Sequence, residues 1–127
     1  MKHITFFTLS VLLISGAASA DGAQVKEQRT IPKLYRGDWA LSPQKCAPGP
    51  ADSGNLRIAS RTILSFESRI NVKRVRINEQ DSIDFTSTVH HGGGVFGDQS
   101  RLTLLDGGTR LAVGDGEERE FYNRCTQ

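Results

Sequence analysis

From Tyr35 to Cys125 the chain is a succession of short runs in which apolar and polar residues alternate, separated by Gly, Pro, Asp and Asn. A period of two is the spacing of a β-strand with one buried face, and no convincing 3.6-residue period competes with it. That pattern restricts the chain to an all-β fold. The runs come in order. "YRGDWALS" places Trp39 and Leu41 on one face, "LRIAS" sets Leu56 and Ile58 inward, and "TILSFE" does the same with Leu64 and Phe66. In "NVKRVRIN", Val75 and Ile77 alternate with Arg74 and Arg76. "SIDFTSTVHH" is the longest alternation, with Ile83, Phe85 and Val89 facing one way. "QSRLTLL" contributes Leu102 and Leu104, "TRLAV" Leu111 and Val113, and "REFYNRC" Phe121.

Asp106-Gly107-Gly108 and Gly114-Asp115-Gly116 are hairpin signals between the last three runs. Short turns favour antiparallel, up-and-down pairing of successive strands. A meander of eight strands leaves two exposed edges unless it closes on itself. The expectation is therefore a small antiparallel barrel of about eight strands, a single domain over residues 34–127. Trp39, at the first strand, reads as a core plug.

The ends of the chain read differently. Met1-Lys2-His3 is a short positive segment, Ile4 to Gly16 is apolar and uncharged, and Ala18-Ser19-Ala20 offers the small residues of a cleavage site. Residues 1–20 thus read as a signal peptide, too short in apolar length for a transmembrane anchor. The expected localisation is periplasmic or secreted. Residues 21–33 are polar and aperiodic and read as a flexible N-terminal arm. The chain has two cysteines, Cys46 and Cys125. In an oxidising compartment such an isolated pair forms a disulfide, and no C-x-x-C spacing suggests redox or zinc chemistry.

"STVHHGGGVFGDQS", residues 87–100, is the stretch that invites a chemical reading. Adjacent strand residues point to opposite faces, so His90 and His91 cannot grip one ion together, and Asp98 does not complete a usual ligand set. Gly92, Gly93 and Gly94 could present amides to a phosphate, but a strand follows them where phosphate loops need a helix. Ser87, His91 and Asp98 have the residue types of acyl transfer. Ser87 and His91, however, are about 13 Å apart along a strand, too far for a nucleophile and its base. No metal, no cofactor and no catalytic residue is expected. His91 shares the parity of Val89 and should point inward near a barrel mouth, with His90 facing solvent. The glycines then make a flexible connection, and His90 to Asp98 form a candidate binding loop.

Charge is uneven rather than large. The whole chain carries +2, and loss of Lys2 with the leader removes one unit. Arg57, Arg61, Arg69, Lys73, Arg74 and Arg76 crowd one region, and the counterweight is Asp115, Glu117, Glu118 and Glu120. Arg74 and Arg76 share a strand face and form a candidate basic stripe. Near-neutral balance, export and few exposed aromatics argue against nucleic acid.

"IPKLYRGDWALSPQKC", residues 31–46, resembles the opening of the bacterial alkaline-protease inhibitors, small exported barrels with a G-x-W-x-L segment before a cysteine. In those inhibitors the cysteine pairs with a near neighbour, whereas here its partner is Cys125. The mature chain as a whole is similar to small exported β-barrel proteins of Gram-negative bacteria with an early Gly-x-Trp, "ILSFES"-like strands and a terminal Arg-Cys. The first resemblance implies a lipocalin-like inhibitor, and the second implies no particular activity. The reading that emerges is an exported, non-enzymatic binding module. Its partner is expected to be another exported or envelope protein, bound as a hydrolase inhibitor or an envelope adaptor. The alternative is a barrel that holds a small apolar ligand.

Overall fold

The computed structural model describes residues 26–47, 54–79 and 81–125. The expected signal peptide, the first residues of the arm and part of the loop after Cys46 lie outside them. Among the described residues, nine strands form one sheet: β1 Lys26–Gln28, β2 Gly37–Ala40, β3 Asn55–Ile58, β4 Thr62–Ser65, β5 Ser68–Ile77, β6 Ser82–His91, β7 Gly94–Leu105, β8 Arg110–Val113 and β9 Glu120–Arg124. Each strand from β2 to β9 pairs antiparallel with the next, and β9 pairs back onto β2. The result is a closed eight-stranded up-and-down barrel with β1 as an addition.

The expected flexible arm is, over its described residues, part of this body. β1 pairs with Val75–Ile77 of β5, beyond the point at which β4 stops. Ile31 is fully buried, and its amide donates to the Ser60 carbonyl at 2.7 Å. The buried isoleucine contributes roughly 1.5–3 kcal/mol of apolar burial, which a polar-looking segment does not advertise.

The interior is filled by side chains from every part of the barrel. Trp39, Ile31, Ile83, Leu102, Leu111 and Val75 are the largest fully buried groups. Parity follows expectation on β3, β5, β6, β7 and β8 and for Trp39 on β2, and it departs at β4, at β9 and just past the end of β2. On β4 the inward residue is Ile63, because it sits between Ile58 and Ile70 in the ladder; Leu64 pairs with two arginines on the outside, and Phe66 falls in an exposed turn. On β9 the register puts Tyr122 opposite inward-facing Leu111. Phe121 therefore lies outside, its ring between the guanidinium groups of Arg110 and Arg119 at 5.2 and 5.3 Å. Leu41 lies past the end of β2 and is exposed, packed over Gly54.

The seam that closes the barrel is short. β2 and β9 share two register pairs, Trp39 with Arg124 and Ala40 with Asn123. The Cys125 amide adds a hydrogen bond to the Asp38 carbonyl at 2.8 Å. The expected Cys46–Cys125 disulfide then ties the seam covalently across 79 residues of chain.

Candidate functional site

The stretch read as a loop is a hairpin. Gly92 and Gly93 have φ of +57° and +82°, the left-handed values that a two-residue turn between twisted strands requires at both positions. Glycine adopts them without strain. With the turn that tight, alternation resumes at once, and β7 begins at Gly94 rather than at Gln99. The ladder between β6 and β7 runs unbroken from Ser82–Thr103 to His91–Gly94.

This register sorts the candidate residues. His90 pairs with Val95 and Arg69 on the outer face. His91 has the parity of buried Val89, as expected, yet it lies at the end of the strand and is exposed; its Nδ1 is hydrogen-bonded to Ser68 Oγ at the start of β5. Ser87 faces Asp98 directly across the ladder. Ser87 is buried and its Oγ has no hydrogen-bond partner among the described residues. Ser87 and Asp98 are thus register partners, but His91 lies four residues further along β6 and is tied to Ser68, so the three residue types of an acyl-transfer site do not come together. No group of three or more His, Cys, Asp or Glu among the described residues is placed to hold a metal ion.

Sequence reasoning missed the hairpin's free edge. β8 covers β7 only from Leu102 onward, and the last main-chain bond on that side is from the Gly114 amide to the Arg101 carbonyl, 2.9 Å. Strand residues alternate the side to which their N–H and C=O point. Arg101 points to the β8 side, so Val95, Gly97 and Gln99 point the same way, where the described residues supply no strand. This edge carries neither Lys nor Pro, the residues that commonly guard one. Three large apolar side chains on or near this hairpin are exposed: Val95 (63%), Phe96 (51%) and Phe66 (47%), the last in the turn that leads to Ser68. The exposed carboxylates of Asp98, Asp115, Glu117, Glu118 and Glu120 lie on the hairpin, on the β8–β9 turn that follows the end of the ladder and at the first residue of β9.

The basic stripe is divided by the ladder. Arg74 and Arg76 both lie exposed on the outside of β5. Arg76 is flanked in register by Glu27 of β1 and Asp84 of β6. Asp84 is itself clamped by Arg101, Nε to Oδ1 at 2.6 Å, with Asn78 donating at 2.9 Å. The hydrogen bond from Arg101 holds the Asp84 carboxyl below the usual carboxylate range, against the opposing effect of partial burial. Arg74 has no such neighbour in register, since Thr86 stands opposite it.

At the other end of the barrel, Arg124 links the closing strand to the loops beneath it. It donates to the Gly108 carbonyl at 2.9 Å, to that of Arg36 at 3.0 Å and to that of Leu34. Its guanidinium lies over Trp39, whose indole N–H donates to the Tyr35 carbonyl at 3.0 Å. Comparison with protein families, curated proteins and solved structures finds no match to this chain.

Proposed function

We propose that this chain is an exported, non-enzymatic protein-binding module that takes an extended, basic segment of another exported or envelope protein along the free edge of β7. Main-chain groups of Val95, Gly97 and Gln99 would supply the hydrogen bonds of strand addition, and alternate side chains the selectivity. The unpaired edge over Gly94–Ser100 is the observation that carries the reading. Val95 and Phe96 provide apolar contact beside it, and the surrounding carboxylates favour a partner with Lys or Arg at alternate positions. Such a grip suits either a hydrolase inhibitor or an envelope adaptor.

Export rests on the leader-like first twenty residues. A disulfide and the absence, among the described residues, of any helix long and apolar enough to cross a membrane accord with it. The alternative of an apolar ligand held inside the barrel is less favoured, because Trp39, Ile83, Leu102 and Leu111 occupy the interior.

Gln99→Pro tests the reading. Proline removes one outward donor and is tolerated on an edge whose N–H faces solvent. Native mass spectrometry of the protein recovered from its host's periplasm should show a partner protein with the wild type and its loss from a folded Gln99→Pro variant. A bare wild-type mass, or a partner retained equally by the variant, would sink the proposal.

A further inference from the structure

β5 is covered on one side by two different strands in succession. β4 pairs as far as Asn71 and β1 from Val75, so Val72 to Arg74 fall in the junction between them. On its other side, β5 has a bulge at the same place, where Val72 is opposite Ser87 and Arg74 is opposite Thr86, leaving Lys73 as the extra residue. The bulge allows both Val72 and Val75 to face inward, although they are three apart. It also turns Lys73 and Arg74 out side by side.

Two other segments meet this junction. The Val72 amide donates to the Arg61 carbonyl at 2.8 Å, which brings the β3–β4 turn against it. The hydrogen bond from Ile31 to Ser60 lays the chain after β1, with Arg29, beside the same turn. Four cations from positions distant in sequence therefore line one groove: Arg29, Arg61, Lys73 and Arg74. Glu27 is the carboxylate in its wall, and Asn71 a further polar group there. Glu27 lies opposite Arg76 in the ladder. None of the four cations has an ion pair or hydrogen bond to a side chain among the described residues, in contrast to Arg57, Arg101 and Arg110. Four like charges gathered at one junction with a single carboxylate in its wall repel each other, and a multivalent anion relieves that repulsion.

We infer that this groove is a binding site for a phosphate-bearing group. Guanidinium forks match phosphate oxygens, and a lysine adds a point charge. At about 670 Å3, the groove has room for more than a bare ion. The phosphate can belong to a soluble phosphate compound or to a phospholipid headgroup. The site lies on the far side of β5 from β7, so it stands or falls independently of the strand-addition reading.

The test uses the mature, disulfide-bonded protein in two arms. In the first, inorganic pyrophosphate is titrated while side-chain N–H signals of arginine are followed by NMR. Saturable shifts are expected at Arg29, Arg61 and Arg74, with little change at Arg110. Binding should weaken at least tenfold in R61Q/R74Q and should fall steeply with added salt. In the second arm, sedimentation with phosphatidylcholine vesicles is compared with and without phosphatidic acid. Pyrophosphate binding without vesicle binding assigns a soluble phosphate, and vesicle binding that needs phosphatidic acid and is lost in R61Q/R74Q assigns a headgroup. Arg29 and Lys73 remain in that variant, and R29Q/K73Q serves as the second variant if the melt of R61Q/R74Q departs from wild type. Absence of binding in both arms, or binding that is unchanged in both double variants, overturns the inference.

Discussion

The Arg124 guanidinium lies over the Trp39 indole, 4.1 Å from the ring centroid, and the two residues are register partners across the seam that closes the barrel. One contact thus unites the core plug, the closing strand and the loops beneath. Burial lowers the pKa of Arg124, which marks the cost of holding a charge there. Three carbonyl acceptors and an aromatic face offset that cost.

Replacing Arg124 should be far more damaging than replacing an exposed arginine. Arg124→Met keeps the stem but strands three carbonyls and loses the ring contact, and about 2–4 kcal/mol of stability should go with them. Arg110→Met, at an exposed ion pair and an exposed contact with Phe121, should change stability by no more than about 1 kcal/mol. Urea denaturation of the two variants against wild type decides the matter. Equal, small effects would show that Arg124 is no keystone.

The disulfide should matter because the ladder it guards is so short. Closing a loop of 79 residues restricts the unfolded chain enough to contribute about 4–5 kcal/mol in the chain-entropy account. Cys125→Ser, or reduction, should lower the melting temperature sharply. Hydrogen exchange should quicken first at the Cys125 amide, which bonds Asp38 across the seam. An unchanged melt would mean that the strand pairs close the barrel unaided.

Both tyrosines of the chain are buried, and both resist ionisation. Burial first, and then the charge of Asp81, pushes Tyr35 up to about 12; burial, the hydrogen bond to Glu120 and its charge push Tyr122 higher still. The unfolded chain ionises its tyrosines near pH 10. Folded pKa values above unfolded ones favour the native state fully below about pH 10, and that advantage is lost as pH rises through the folded values. Tyrosinate absorbance should therefore be nearly absent from the native protein at pH 10 and appear together with unfolding at higher pH. A smooth titration near pH 10 with the fold intact would contradict the burial of both rings.

The free edge has its own signature. In the isolated protein the amides of Val95, Gly97 and Gln99 should exchange fast, while those of Phe96 and Asp98, which point toward β6, should be slower. Uniformly slow exchange would mean that this edge is already covered. Because Val95 is exposed, Val95→Lys should leave stability within about 0.5 kcal/mol of wild type. The same change places a guarding cation on the edge and should weaken strand addition by a basic segment.

The eight strands from β2 to β9, their order, the disulfide and the Trp39 plug were all legible in the chain, because each follows from local alternation, turn chemistry or cysteine count. What failed was parity where apolar residues stand on both faces. In Thr62–Phe66, Ile63, Leu64 and Phe66 offer two alternations, and the neighbouring ladder selects Ile63. In Phe121-Tyr122 the choice was made by Leu111 on β8. The hairpin was misread for a related reason. Gly92 to Gly94 look like a loop in isolation, yet with β6 as a template they form a two-residue turn and the first residue of a strand.

Composition and periodicity determined, by themselves, that this chain is a closed meander of short strands, since a one-sided apolar period with tight turns has few other ways to bury itself. Only the tertiary structure decided where that closure is incomplete or irregular. β8 turns away at Gly114 and leaves β7 with an edge. The hand-over from β4 to β1 beside the bulge gathers Arg29, Arg61, Lys73 and Arg74. Neither feature has a local sequence signal, because each depends on which strand runs out first beside a longer neighbour. Such differences in strand length are set by pairing partners distant in the chain.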